Sequence, residues 1–92
     1  MRLSEPERQI IKTTIHRHDP RAQVLLFGSR TDDSKRGGDI DLLVISQALN
    51  FSDKLQILAD LDQELGEQKI DLLLDDGSGA FARSVLAEAI EL

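Results

Sequence analysis

The chain has 92 residues, with 11 Lys and Arg against 17 Asp and Glu, and a formal net charge of −6 with both His neutral. At 40% apolar and 30% charged residues, with no Cys, it reads as one small soluble globular domain over residues 1–92, which excludes disulfide scaffolds, thiolate metal sites and thiol catalysis. No apolar run approaches the roughly 20 residues of a membrane span, MRLSEPERQ holds no apolar signal core, so a cytoplasmic location is expected, and the acidic balance with few aromatic residues argues against a duplex-coating or base-stacking surface.

Ser4 and Glu7 form the S-x-x-E pattern of a capping box, with Pro6 in the first turn and Ile10, Ile11 and Ile15 at helical spacing. A helix over 5–16 is predicted, broken by Asp19-Pro20. Val24 to Phe27 is a short apolar run, predicted as a buried strand. Residues 28–38 form a polar, glycine-containing connection that could be a hairpin loop or could hold a short helix. Asp39 to Ile45 is the next predicted strand. Period two puts Ile40, Leu42 and Val44 on one face and Asp39, Asp41, Leu43 and Ile45 on the other. Ser52 is predicted to cap a helix carrying Leu55, Leu58, Leu61 and Leu65, closed by Gly66. Lys69 to Leu74 is a third strand, with Asp71 opposite the face of Ile70, Leu72 and Leu74. After the turn at Asp75-Asp76-Gly77, Ser78 is predicted to cap a last helix with Phe81, Val85 and Ala89 on one stripe. The expected class is α/β or α+β, with helices packed over a small sheet. His16 and His18, two apart on a helix, share no face and are expected at the surface. Asp53, Asp60, Asp62, Glu64 and Glu67 are expected to form a solvated helix face.

Three carboxylates lie where packing alone would not put them. Asp39, Asp41 and Asp71 sit within apolar strands, and Asp is depleted in strands. Asp39 and Asp41 leave one face, with roughly 7 Å of extended chain between them. Like charges so placed repel, and a divalent cation removes the repulsion. Mg²⁺ takes oxygen ligands and commonly combines carboxylates with substrate phosphates, and a third carboxylate from a neighbouring strand would complete a two-metal site. The plainer alternative is that these residues stand at strand ends on a solvated face.

Gly28-Ser29 follows the first buried strand. Glycine allows close backbone approach, and serine offers a hydroxyl and an amide. Arg30, Lys35 and Arg36 make the following stretch the most basic in an acidic chain, as an anion beside a cation site would require. The plainer alternative is an ordinary Gly-Ser turn among solvated charges.

Taken together, LFGSRTDDSKRGGDIDLLV with the later KIDLLL resembles the signature of the polymerase-beta-like nucleotidyltransferase superfamily, and most closely its minimal nucleotidyltransferases. The spacing from Gly-Ser to the first Asp is slightly shorter than in many relatives, a difference confined to the 30–38 loop. The resemblance implies a small mixed sheet covered by helices. It also implies that Gly28 and Ser29 hold the β- and γ-phosphates of a nucleoside triphosphate, with Arg30 on phosphate. Asp39 and Asp41 would bind Mg²⁺, and Asp71 would bind the catalytic metal and help activate an acceptor hydroxyl. The reaction implied is transfer of a nucleoside monophosphate, AMP from ATP, with release of pyrophosphate. Minimal members resemble antitoxins whose partner is a small helical HEPN-type toxin, modified on a tyrosine hydroxyl. Two other readings stay open at this point: a binding module that neutralises such a partner by contact, and a transferase for a small molecule of the aminoglycoside kind. An apolar patch for a partner could lie near Phe51 or on the last helix.

Overall fold

The computed structural model describes residues 3–27, 40–66, 69–80, 83–84 and 87–92. The order is α1 (Glu5–His18), β1 (Gln23–Phe27), β2 (Ile40–Ile45), α2 (Phe51–Leu65), β3 (Ile70–Asp75) and β4 (Ile90–Glu91). The strands form one mixed sheet in the order β3-β2-β1-β4: β1 pairs antiparallel with β2 and β4, and β2 pairs parallel with β3. The fold is therefore α+β, with both helices on one face of the sheet. No helix among the described residues is long and apolar enough to cross a membrane.

The helix ends follow from local chemistry. Ser4 Oγ accepts from the Glu7 amide and Glu7 Oε1 accepts from the Ser4 amide, so the box at the start of α1 is closed both ways. At α2 the cap is Asn50, not Ser52. Asn50 Oδ1 accepts from the Asp53 amide at 2.9 Å, and Asp53 Oδ2 accepts from the Asn50 amide at 2.9 Å. The reason is reciprocity: three residues after Asn50 comes Asp53, which can return a bond, whereas three after Ser52 comes Leu55, which cannot. Gly66, at φ +80, ends α2 in a backbone conformation that side chains disfavour.

The core lies between the sheet and the helices. Val24, Leu26, Ile40, Leu42, Val44 and Leu72 meet Ile11, Ile15, Ile57 and Leu61 in one cluster. The buried stripe of α2 is thus Ile57 and Leu61, and Leu55, expected on it, is half exposed. Leu25 and Leu43, packed with Phe27, Ile45 and Ala89, form a smaller cluster on the other face. The two helices are joined by polar contacts. Thr14 Oγ1 donates to Glu64 at 3.2 Å, and Arg17 reaches Glu64 at 3.5 Å. His18 Nε2 lies 3.3 Å from Asp60. Asp60 and Glu64 therefore face α1 and are not part of a purely solvated face, and His16 and His18 are half-buried, with His16 on the Ala22 carbonyl. Bonds from Gln56 first, then His18, hold the Asp60 carboxyl below its ordinary range.

The chain after β3 departs from expectation. Ser78 gives its amide and hydroxyl to Asp76 rather than to a helix. Helical backbone is present at Ala80, Arg83 and Ser84, and the chain then turns into β4. Phe81 and Val85 lie outside the described residues. The helix does not continue to Ala89 because Leu92 is wanted in the core: it is buried, and its amide donates to the Val24 carbonyl at 2.9 Å.

At the other end of the sheet Asp19 is buried and accepts from Ser46 Oγ at 2.6 Å and from the Arg21 amide at 3.0 Å. Ser46 Oγ in turn accepts from the Ala48 and Leu49 amides. The Ser46 hydroxyl first, then the Arg21 amide, hold the Asp19 carboxyl below the usual carboxylate range. A group lowered in the folded state stabilises fully above its unfolded pKa, about 3.9, and loses that contribution as pH falls through the folded value. Thermal melts of Asp19→Asn should therefore decline less steeply than wild type below about pH 4, and parallel acid-side curves would refute the role of this carboxylate. At neutral pH, Asn50→Ala should cost about 1 kcal/mol in denaturant melts and Ser52→Ala close to none; the reverse order would restore Ser52 as the cap.

Candidate active site

β2 reads IDLLVI and β3 reads IDLLLD. They pair in parallel with Ile40 opposite Ile70, so the two I-D-L-L tetrads lie side by side in register. Asp41 is directly beside Asp71. Strand spacing alone brings their Cα atoms to roughly 4.8 Å. On its other side Asp41 faces Phe27, the last residue of β1. Alternation places Asp41 and Asp71 on the face away from the helices, because Ile40, Leu42, Ile70 and Leu72 all turn into the main core. Asp41 is half-buried and Asp71 is exposed. No hydrogen bond or ion pair of the Asp71 carboxylate is found among the described residues. The acidic side chains of the two strands thus stand side by side at one end of the sheet, where like charges repel and a cation would relieve the repulsion.

A cleft of about 410 Å³ opens there, lined by Phe27, Asp41, Lys54, Leu58 and Ile70 to Leu73. From the sequence alone Leu58 is expected only on the apolar stripe of its helix, and Lys54 and Leu73 have no assigned role. The one signal was Lys54: a cation in the first turn of a helix opposes the helix dipole and so suggests another use. Its ammonium lies 5.9 Å from the centre of the Phe51 ring. Gly28, Ser29, Arg30 and Asp39 lie outside the described residues. The segment that carries them runs from Phe27 to Ile40, and both of those residues belong to this end of the sheet. The described residues therefore bring together two of the three expected carboxylates. Among the described residues no cluster of three metal-binding side chains forms.

The Asp41–Asp71 pairing has a thermodynamic signature. In EDTA, Asp71→Asn should melt at the wild-type temperature or higher, since like charges directly opposite cost up to about 1 kcal/mol. Added Mg²⁺ should raise the wild-type midpoint more than that of the variant. A lower midpoint in EDTA would mean that the carboxylate is held by a structural partner.

No curated protein matches the chain. A family model described as polymerase beta, nucleotidyltransferase matches residues 9–92. That span runs from within α1 to the last residue and includes every strand and both ends of the cleft segment. The parallel carboxylates, the mixed sheet and this match lead to one assignment: the chain belongs to the polymerase beta nucleotidyltransferase family.

Proposed function

We propose that the chain is a minimal nucleotidyltransferase, a single domain over residues 1–92, that transfers AMP from ATP to a tyrosine hydroxyl of a small helical HEPN-type toxin and so acts as its antitoxin in the cytoplasm. The observation that carries the reading is the in-register pair Asp41 and Asp71, lining a cleft between β3 and α2 at this end of the sheet. In this reading Asp39, Asp41 and Asp71 are the catalytic and metal-holding residues, and Gly28, Ser29 and Arg30 take the triphosphate.

The donor set fits Mg²⁺: carboxylate oxygens on neighbouring strands and one face, with an unfavourable charge pair to be neutralised. When bound, the divalent ion supplies charge neutralisation at the attacking and leaving oxygens of an in-line displacement. The remaining work falls to the chain. Asp71, exposed at the cleft, orients the acceptor hydroxyl and draws its proton. Gly28 lets main chain approach the phosphates, and the Ser29 hydroxyl and Arg30 guanidinium donate to their oxygens. The acceptor oxygen bonds to the α-phosphorus, the bond from that phosphorus to the bridging oxygen breaks, and pyrophosphate leaves. The complete set of Gly28, Ser29, Asp39, Asp41 and Asp71 favours an active enzyme over a purely neutralising partner.

The test is incubation with α-labelled ATP, Mg²⁺ and a small helical HEPN-type protein from a neighbouring gene. Label is expected on a tyrosine of that protein, and it should disappear in EDTA and with Asp41→Asn. Ser29→Ala should weaken transfer by the equivalent of roughly 1.5–3 kcal/mol, the worth of a charge-assisted hydrogen bond, without changing the melting temperature. Neutralisation of the toxin by the unlabelled complex would instead support contact alone, and label on an aminoglycoside would point to a small-molecule acceptor.

A further inference from the structure

β3 is an edge of the sheet, and on its outer side no strand pairs with it among the described residues. The opposite edge is different: there β4 covers β1. The hydrogen bonds to β2 identify the unpaired groups. The Lys69 carbonyl accepts from the Ile40 amide at 3.0 Å, and the Asp75 carbonyl accepts from the Ser46 amide at 2.8 Å. Main-chain groups of Lys69, Asp71, Leu73 and Asp75 therefore face β2, and those of Ile70, Leu72 and Leu74 face outward. Proteins usually blunt such an edge with charged side chains, lysine above all, or with proline, a bulge or a very short strand. β3 has six residues, IDLLLD, paired without interruption; it holds no proline, lysine or bulge, and its charges are Asp71 and Asp75 on one face.

The surroundings favour one kind of occupant. The cleft runs along this edge, with Lys54 and Leu58 of α2 on one side and Asp71 and Leu73 on the other. Phe51 and Leu55, 67% and 52% exposed, precede Leu58 at helical spacing and share its face, and Leu73 is 41% exposed. The open face of β3 carries Asp71 and Asp75, and Asp76 follows. A second copy of the chain would bring a net charge of −6 against −6. A strand with apolar side chains on one face and a basic side chain on the other is complementary to both sides.

We propose that the β3 edge docks an extended segment of the protein acceptor as an added antiparallel strand. Its apolar side chains lie toward Leu58 and α2, a basic side chain lies toward Asp75, and the acceptor hydroxyl lies toward Asp71. The identity of the segment rests on the protein-acceptor reading above; the place where it binds rests on the sheet order and register. Strand addition of this kind draws affinity from the main chain and specificity from alternate side chains. It also delivers a hydroxyl to Asp71, because alternate residues of the added strand fall on the face of that carboxylate.

The experiment uses the whole chain and a short blocked peptide, flanked by lysines, with valine at every second position and lysine, leucine and tyrosine in turn between them. Amide exchange is followed by NMR. Saturating peptide should slow exchange of the Ile70, Leu72 and Leu74 amides at least about tenfold, as formed ladder bonds do. The same peptide with N-methylated valines should produce no slowing, and replacing its lysines with glutamate should weaken binding by a similar factor. Unchanged exchange at saturation, or equal binding of the N-methylated peptide, overturns the docking edge. So does a dimer in sedimentation that protects these amides without peptide. Labelled transfer to the peptide's tyrosine is read separately. Label with unprotected amides overturns the edge and leaves the transferase standing. Protected amides without label support the edge and count against tyrosine as the acceptor.

Discussion

The parallel pairing of β2 with β3 is the constraint on which the site depends. Parallel neighbours cannot be joined by a tight turn, so the chain must climb back along the sheet before it can enter the second strand. α2 makes that return. Its 15 residues rise roughly 22 Å and the six-residue strands span roughly 20 Å, so the helix brings the chain back to the level at which it entered β2. The Asn50–Asp53 box and Gly66 set that length at its two ends. A helix shorter by a turn would deliver Asp71 to the wrong rung of the ladder. Cap chemistry far from the carboxylates thus decides whether they meet.

The second requirement is that α1 and α2 leave one face of the sheet uncovered. Both helices crowd onto the other face, where Ile57 and Leu61 of α2 and Ile11 and Ile15 of α1 cover the strands. The helices are held to each other by Thr14, Arg17 and His18 against Glu64 and Asp60. Apart from the buried Thr14 these groups are partly exposed, and ion pairs of this kind contribute little to stability on their own. Their effect is directional: they fix the approach of α1 to α2 while the apolar contacts supply most of the driving force. On the face away from the helices the β2 and β3 rows carry a small apolar patch around Leu25 and Leu43, the exposed Leu73, and the acidic Asp41, Asp71 and Asp75.

Much of this was legible in the chain. Period-two alternation separated the Asp residues from the core-facing residues of both strands, and the first helix and its box were written in Ser4, Pro6 and Glu7. The misreadings have physical causes. Ser52 and Asn50 are comparable caps, and only the residue three positions on distinguishes them. Leu55 has helical spacing to Leu58, yet Ile57 points more directly at the sheet, and periodicity alone does not say which of two overlapping stripes meets the core. β4 was missed because two residues carry too little pattern to register, and its formation depends on β1 having an edge to offer. The direction of the strands was not legible at all, since alternation is the same in parallel and antiparallel pairs. For that reason the sequence could nominate Asp41 and Asp71 but not place them side by side. Gly28, Ser29, Arg30 and Asp39 remain readings of motif and spacing.

The matched I-D-L-L tetrads have a consequence for folding as well as for chemistry. Two strands with nearly identical apolar composition could slide along each other at little cost in buried area. A slip of one residue turns every side chain of the moving strand to the opposite face. In this sheet it would drive Asp71 beneath α2, into a layer of leucine and isoleucine, where an unpaired charge costs several kcal/mol. The carboxylate that the open face exposes to solvent therefore also acts as a proofreading mark for strand alignment.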